Sequence, residues 1–358
     1  MTRNVSALIS LLSVLSFVLG PNAYAHDGSH PDLGASPVRA ASHAPIGVMG
    51  DHRHKAGEWM VSYRYMQGGM DGLRQGTNDR DPAAVLQSGG NAYRILPSSM
   101  TMKMHMLGAM YAPTDDVTLT LMGSYLDKEM SHTTYAGMMG SAVAGEFTTH
   151  SRGWGDLRFG ALVKLWEKDA HSFHGNLSLS IPTGSIKERD TVLMPNGQYA
   201  SRRMPYGMQL GSGTWDPTVG VTYNGRSGQL SWGSQYLATF RSGRNDEGYS
   251  LGDRHAFTGW AAYSPEPWFS LSARLAAHTQ QEISGRDRQI SGPVPTADPG
   301  NYGGEQADLF LGTNLAGQSG LLRNHRLGLE VGLPVYQDVN GLQLERDWSV
   351  VIGYQYAF

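Results

Sequence analysis

The chain has 358 residues, a formal net charge of −3, no cysteine and 46 glycines. A charge this close to zero gives no reason to expect a nucleic-acid partner, and the lack of cysteine excludes disulfides and thiolate chemistry. The glycines follow no fixed period, which excludes a collagen-like chain. We find no linker that divides the chain into two soluble domains.

The first residues have the pattern of a secretory signal. Arg3 gives a positive start, an apolar run ALISLLSVLSFVLG follows, and Ala23 to Ala25 form a small-x-small cleavage site. We predict a cleaved signal peptide over residues 1–25, with a membrane anchor as the alternative, and a mature chain that begins at His26. No later stretch is long and apolar enough for a transmembrane helix, so the membrane structure left to such a chain is a β-barrel.

Segments of alternating polarity recur from residue 58 to the C-terminus, most with the length of about ten residues that a tilted membrane strand needs. The segments are 58–66, 100–112, 117–126, 154–166, 173–181, 217–224, 228–241, 252–264, 268–278, 306–316, 325–335 and 348–358. We predict an all-β fold, a transmembrane antiparallel β-barrel of about 12 strands over residues 58–358. Residues 26–57 precede it as a flexible, His-rich periplasmic leader.

The connections between these segments alternate in length. The short ones are 113–116, 167–172, 225–228 and 265–267, and the long polar ones are 67–99, 127–153, 182–216 and 279–305. Outer-membrane barrels have short periplasmic turns and long outer loops. We therefore expect the long connections outside the cell and both termini in the periplasm.

Alternate side chains of a strand point to opposite faces, and a barrel of twelve strands is too wide for side chains to fill its interior easily. We therefore predict that the apolar side chains of each strand face lipid and that the polar side chains, at the alternate positions, face a lumen. In SMTMKMHMLGAMYA, this places Met100, Met102, Met104 and Met106 toward lipid, with Lys103 and His105 in the lumen. A methionine ladder for Cu(I) is the alternative. For segment 252–264, the alternation does not decide which face points to lipid.

Several stretches resemble the outer-membrane transporter-like family named after the meta-pathway of phenol degradation. They are GWGDLRFGALVKLW, LSLSIPTGS, GSGTWDPTVGVTY, EGYSLGDRHAFTGWAAYSPEPWFSLSARL and LPVYQDVNGLQLERDWSVVIGYQYAF. The similarity covers roughly residues 58–358, and the final YQYAF resembles the signature by which outer-membrane barrels are assembled. The resemblance implies an outer-membrane β-barrel that moves small molecules, without naming a solute.

The side chains predicted to face the lumen include more basic than acidic residues. This excess would favour anionic solutes unless the charges simply pair across the lumen. The predicted lumen-lining residues are Arg64, Lys103, His105, Arg158, Lys164, Gln235, Arg274, His278, Asp308, Arg326 and Glu330. No Ser, His and Asp arrangement has the spacing of a catalytic motif, so we predict no catalytic residues and no enzyme, with a barrel enzyme as the second alternative.

The predicted leader is rich in potential metal ligands, which are His26, His30, His43, Met49, His52 and His54. If His26 is the mature N-terminus, its imidazole and free α-amino group together would chelate Cu(II). A polar leader with accidental histidines is the alternative. We therefore expect no obligatory cofactor, and copper as the metal that this segment would bind.

The sequence as a whole favours a channel for passive passage of small solutes, anionic or aromatic, in the outer membrane of a Gram-negative bacterium. A periplasm-facing copper-binding or metal-export accessory barrel is the first alternative. The expected partners are the lipid bilayer, the solute and the outer-membrane assembly machinery.

Overall fold

The computed structural model describes residues 39–87, 93–136 and 142–358. The predicted signal peptide and the first part of the predicted leader lie outside these residues. Within the described ranges, no helix has both the length and the apolar composition needed to cross a membrane.

The fold is almost entirely antiparallel β-structure. The strands are β1 (Trp59–Gly76), β2 (Asn78–Arg80), β3 (Ile95–Thr114), β4 (Val117–Ala136), β5 (Ala142–Trp154), β6 (Leu157–Lys168), β7 (His171–Ile181), β8 (Arg189–Leu193), β9 (Tyr199–Arg203), β10 (Asp216–Ser227), β11 (Leu230–Thr239), β12 (Tyr249–Ser250), β13 (Arg254–Glu266), β14 (Phe269–Gln280), β15 (Ser284–Gly285), β16 (Gly304–Ala316) and β17 (His325–Ala357). One short helix, α1, covers Pro82–Gln87, and 3-10 turns cover Ala40–Ser42, Tyr206–Met208, Pro295–Ala297, Pro299–Asn301 and Gly320–Leu322.

Eleven of these strands close into a barrel. Around the ring the order is β1, β3, β4, β6, β7, β10, β11, β13, β14, β16 and β17, and β17 pairs back with β1. Two further strands of the same sheet lie outside the ring, because β2 pairs only with β1 and β5 only with β4. The pairs β8–β9 and β12–β15 form separate two-stranded sheets between the barrel strands. The prediction of a closed antiparallel barrel is therefore confirmed.

The ring has eleven strands rather than the predicted number of about twelve because the last two predicted segments form one strand. β17 has 33 residues and folds back on itself near Gly341, which has a positive φ of 57°. Residues 326–339 pair with β16, and residues 339–357 pair with β1. The two halves also contact each other, since Arg326 Nη1 donates to Gln355 Oε1 at 2.6 Å.

The two ends of the barrel differ in their connections. At one end, which we call the turn end, only two residues separate β3 from β4, β6 from β7, β10 from β11 and β13 from β14. At the other end, the loop end, the predicted long loops 67–99 and 127–153 are largely strand, because β1 extends to Gly76 and β4 pairs with β5 beyond its pairing with β6.

The apolar faces of most barrel strands point outward, as predicted. On β6, β14 and β17, Phe159, Leu271 and Leu333 are 50%, 54% and 58% exposed, while the neighbouring polar parity is buried, with Arg274 at 6% and Glu330 at 1%. The structure also determines the orientation of segment 252–264, because Trp260 of β13 is buried inside the barrel.

Strand β3 has the opposite phase from the prediction. Met106 pairs with the inward-facing Arg64, and the residue next to it, Leu107, is 54% exposed on the outer face. The methionine parity therefore points inward and is not lipid-facing, because the loop end of the interior is apolar. Met100 packs there in a buried cluster with side chains from the loops. That cluster contains Leu73, Val85, Leu96, Met100, Met130, Met204, Met208, Leu342 and Leu344.

Candidate functional site: a plugged, arginine-lined lumen

Residues 40–56, which we call the plug, lie inside the turn end of the barrel. The prediction of a flexible periplasmic leader is therefore wrong for its described part. The plug enters beside Pro267, whose carbonyl accepts a 2.7 Å hydrogen bond from Ala40 N, and leaves beside Thr118, whose hydroxyl accepts from His54 N at 2.9 Å. Between these points, the segment crosses from one side of the ring to the other.

Inward-facing side chains of the barrel hold the plug by its backbone carbonyls. A buried carbonyl needs a hydrogen-bond partner, and the polar lumen parity provides one from several directions. The bonds are Arg326 Nη2 to Ala44 O, Arg64 Nε to Ile46 O (3.0 Å), Gln235 Nε2 to Met49 O (2.9 Å), His174 Nε2 and Asn176 Nδ2 to Gly50 O (both 2.9 Å) and Asn224 Nδ2 to Asp51 O (2.7 Å). The donors lie on β1, β7, β10, β11 and β17, so the plug is fixed from around the ring.

One apolar side chain of the plug is seated in a notch of the wall. Ile46 is 1% exposed and lies against Gly328 and Gly353 of β17. A Cβ atom added at Gly328 would lie 2.6 Å from Ile46 Cβ, and one added at Gly353 would overlap Ile46 Cγ1. The absence of side chains at these two positions is therefore what makes room for Ile46.

A buried ion pair supports the same part of the plug. Arg274 Nε donates to Glu330 Oε1 at 2.7 Å, and Glu330 Oε2 also accepts a hydrogen bond from Gly47 N. The guanidinium of Arg274 lies over the ring of Phe310 at 3.8 Å. Because both partners of the pair are almost fully buried, loss of either would leave an uncompensated charge.

The plug brings two histidines and a carboxylate together. His43 Nδ1 lies 3.2 Å from His52 Nδ1, and His52 Nδ1 lies 2.9 Å from Asp51 Oδ1. Burial and the nearby His52 lower the pKa of His43 well below its ordinary value. Burial alone would raise the pKa of Asp51, but attraction to His52, with a hydrogen bond from it, holds that pKa far below its usual range. Burial and His52 lower the pKa of His54 to about 4.

Beyond the plug, four arginines from different parts of the ring surround the lumen. Arg241 pairs with the buried Asp216, and Arg346 pairs with Asp308 at 3.0 Å. Arg158 and Arg254 make no side-chain hydrogen bond or ion pair among the described residues, and the charges of the other three arginines act on Arg254. Arg254 is also exposed to solvent within this enclosed space. Two of the four guanidinium groups therefore face the lumen without an ion-pair partner among the described residues.

The structure places most of the predicted lumen residues inside the barrel. Those inside are Arg64, Arg158, Lys164, Gln235, Arg274, His278, Asp308, Arg326 and Glu330. Lys164 lies at the turn end, 3.4 Å from Asp116. Lys103 and His105 are corrections, since the phase of β3 puts them on the outer face. There, His105 Nδ1 lies 2.8 Å from the hydroxyl of the exposed Tyr63.

The predicted metal ligands are brought together only in part. His26 and His30 lie outside the described residues. His43 and His52 are in contact, and the ring of His54 lies 4.9 Å from that of His52. The backbone carbonyl of Met49 accepts a hydrogen bond from Gln235.

Sequence reasoning missed four residues of this lumen. Asp51 stands directly before His52, and a carboxylate within a histidine-rich run was a usable signal. Arg254 lies on the same face of its strand as Trp260. The sequence did not decide which face of segment 252–264 points inward, so Arg254 was not predicted to line the lumen. Arg241 is the last residue of the predicted segment 228–241, and Arg346 lies two residues before the predicted segment 348–358, so alternation carries little information at either position.

At the loop end, a second ionic cluster joins the connection after β7 to the connection after β11. Glu247 contacts Lys187 Nζ at 3.0 Å and Arg203 Nη2 at 3.7 Å. The hydrogen bond from Lys187 lowers the pKa of Glu247 below its ordinary value, although partial burial opposes this shift. The ionised carboxylate thus helps to hold these two loops together.

Comparison with known proteins supports the fold more than any single function. No protein-family model matches the chain, and no curated protein matches it. The crystal structure of an outer membrane channel from Pseudomonas putida F1 superposes with a TM-score of 0.57 at 14% identity, covering 87% of this chain and all of that one. The two chains share a fold.

Two other barrels align less closely. The toluene transporter TodX of P. putida has a TM-score of 0.42 at 8% identity, with 85% of this chain and 91% of TodX covered. A FadL homologue from Pseudomonas aeruginosa has a TM-score of 0.42 at 10% identity, with 90% and 98% covered. Assignment to the phenol meta-pathway family stays a prediction, since none of these similarities names that family.

Proposed function

We propose that this chain is a channel in the outer membrane of a Gram-negative bacterium, through which small solutes diffuse, with a preference for anions. The closed barrel, its apolar outer face and its fold similarity to an outer membrane channel support the channel itself. The turn end then faces the periplasm and the loop end faces outward. We expect no catalytic activity. A requirement for the outer-membrane assembly machinery also stays a prediction.

The observation that carries the anion preference is the unpaired charge of Arg158 and Arg254 in the lumen. A guanidinium without a carboxylate partner attracts a passing anion and repels a cation, and the low-dielectric wall concentrates its field. Planar guanidinium groups also match carboxylate geometry. Small carboxylates are therefore the solute class that this lumen fits best.

Ion selectivity in planar bilayers tests the proposal. We expect an anion-selective reversal potential in a salt gradient, and Arg254→Gln should lower the anion-to-cation permeability ratio. For an ion about 8 Å away in water, loss of one unit charge is worth about 0.5 kcal/mol, or roughly twofold. Lys103→Gln is the matched control, because it removes the same charge from the outer face. An unchanged ratio in Arg254→Gln, or an equal change in the control, would show that the arginines do not select the solute.

A second candidate solute class is small aromatic molecules, which would meet an apolar pocket of about 50 Å³ at the loop end. A cavity that encloses benzene has roughly 150 Å³, so this pocket would have to widen to hold such a molecule. Phe147, Ile95, Met204 and Ile290 are among its lining residues, and Phe147 stacks on His132 at 4.7 Å. Equilibrium dialysis with labelled toluene tests this candidate. Saturable binding that is lost in Phe147→Asp would support an aromatic solute, and the absence of saturable binding would remove it.

A further inference from the structure

Three potential metal-ligand atoms of the plug lie close together. One ligand atom from each of His43, Asp51 and His52 lies within 4.8 Å of the other two. The closest approaches are 3.2 Å between the two Nδ1 atoms and 2.9 Å between Asp51 Oδ1 and His52 Nδ1. The second oxygen of Asp51 accepts a hydrogen bond from Ala44 N at 2.9 Å, which fixes the carboxylate.

The separation of the two imidazole nitrogens is close to that of ligands around a single ion. Zinc–imidazole bonds are about 2.0–2.1 Å long, so two nitrogens in a tetrahedral site lie about 3.3–3.4 Å apart, against 3.2 Å between His43 Nδ1 and His52 Nδ1. Without an ion, only one of the two facing Nδ1 atoms can carry the proton between them. A metal ion would replace that proton and use the lone pairs of both rings.

A further buried imidazole nitrogen beside the cluster lacks a partner. His54 is 7% exposed, its Nδ1 lies 3.3 Å from Glu58, and its Nε2 has no hydrogen-bond partner among the described residues. Within the same part of the chain, His52 Nε2 is also buried without a hydrogen-bond partner. Buried polar atoms of this kind are uncommon unless a water, an ion or a ligand satisfies them.

The ligand set selects the class of metal. Ca²⁺ and Mg²⁺ prefer several oxygen ligands, whereas here a single carboxylate stands with two imidazoles. The positive charges of Arg326 and Arg64 also act on Asp51, which disfavours a purely ionic site. Zn²⁺ and Cu²⁺ form strong bonds to imidazole nitrogen, so two imidazoles and one carboxylate suit either metal.

We propose that His43, Asp51 and His52 bind one Zn²⁺ or Cu²⁺ ion, which fastens the plug inside the barrel. His43 lies before the section of the plug that the wall holds at Ile46 to Gly50, and Asp51 and His52 lie after it. An ion bound to both sides closes this section into a loop and opposes its withdrawal. The site goes beyond solute passage, since it makes the seating of the plug depend on a metal.

Metal titration of the purified, EDTA-treated full mature chain tests the site directly. Isothermal calorimetry with Zn²⁺ and with Cu²⁺ should show a saturable site that remains in a His26→Ala, His30→Ala variant, which lacks the ligands predicted at the N-terminus. His43→Ala and His52→Ala should each weaken binding at least about tenfold, the lower limit for loss of a residue that merely supports a ligand. His150→Ala is the matched control, because that side chain is 57% exposed and lies outside the plug.

Electron paramagnetic resonance of the Cu²⁺ form separates loss of a ligand from general loss of structure. The wild-type spectrum should show coupling to two imidazole nitrogens and the His43→Ala spectrum to one, while circular dichroism confirms that the barrel remains folded. In the His26→Ala, His30→Ala variant, the spectrum of the plug site with its two imidazole nitrogens should remain. The proposal is overturned if no saturable site is found, if binding survives both plug variants, or if it is lost only in the His26 and His30 variant. None of these results depends on whether solutes cross the barrel.

Discussion

Substitution of Gly328 by alanine should loosen the plug, because the notch that holds Ile46 has no room for a methyl group. The added Cβ would lie 2.6 Å from Ile46 Cβ, about 0.8 Å inside the 3.4 Å at which ordinary contact begins. Ile46 Cβ is attached directly to the backbone, so no side-chain rotation moves it away. The plug itself must shift, and its backbone hydrogen bonds to the wall must lengthen.

The magnitude follows from known overpacking energies. An extra methyl group in a well-packed site typically costs about 1–3 kcal/mol. At about 1.4 kcal/mol per factor of ten, the ratio of open to closed plug should rise about fivefold to a hundredfold or more. Single-channel recording in planar bilayers measures this ratio as the fraction of time in the higher-conductance state. Gly175→Ala is the matched control, since a Cβ there meets no atom closer than 3.8 Å.

A double variant tests whether Ile46 is the residue that the new methyl group meets. Ile46→Gly removes the clashing Cβ and should itself loosen the plug, because it deletes a buried side chain. Gly328→Ala should then cost less than it does alone, because only its contact with Asn314 Oδ1, at 2.8 Å, remains. If the two effects add in full, or if Gly328→Ala conducts like the wild type, the notch does not hold the plug.

Three further outcomes are expected. Leu107→Arg should destabilise the barrel in liposomes by roughly 2–4 kcal/mol in urea titrations, while Met104→Arg, on the inward parity of the same strand, should cost less; equal costs would contradict the assigned phase. Arg274→Met should lower stability by about 3–5 kcal/mol because it strands the buried carboxylate of Glu330, and the double change with Glu330→Gln should recover part of the loss in the same titrations. Because the pKa of Glu247 is lowered in the folded protein, its contribution to loop docking should be complete above its ordinary pKa and lost as the pH falls through the lowered pKa. Hydrogen exchange of the loop after β11 should increase over that acidic range. The Glu247→Gln variant should already show this increase at neutral pH.

The barrel was predictable because its signals are local. A strand exposed to lipid on one face and water on the other must alternate, as Leu271 and Arg274 of β14 do, and the short turns break that alternation at fixed points. The phase of β3 was not predictable in this way. Methionine suits both lipid and an apolar cluster, and the loops that pack on Met100 come from distant parts of the sequence.

The plug was hidden from the sequence for a different reason. The wall recognises its carbonyl groups, as Arg64 does at Ile46 and Gln235 does at Met49, and a carbonyl is present at every residue. No pattern of side chains therefore marks the segment as buried. The histidines did indicate a special role for this region, but the partnership of His43 with Asp51 and His52 depends on a turn of the backbone within the barrel.

The position of the plug links its docking to the closure of the barrel. The last pairing needed to complete the ring joins β1 to the second half of β17. Arg64, which bonds to Ile46 O, lies on β1, and Gly353, which lies against the Ile46 side chain, is its direct pairing partner across that seam. The plug therefore contacts both strands of the seam from inside the barrel. A correctly joined seam and a seated plug stabilise each other. A chain lacking the plug would close its barrel without these contacts across the seam.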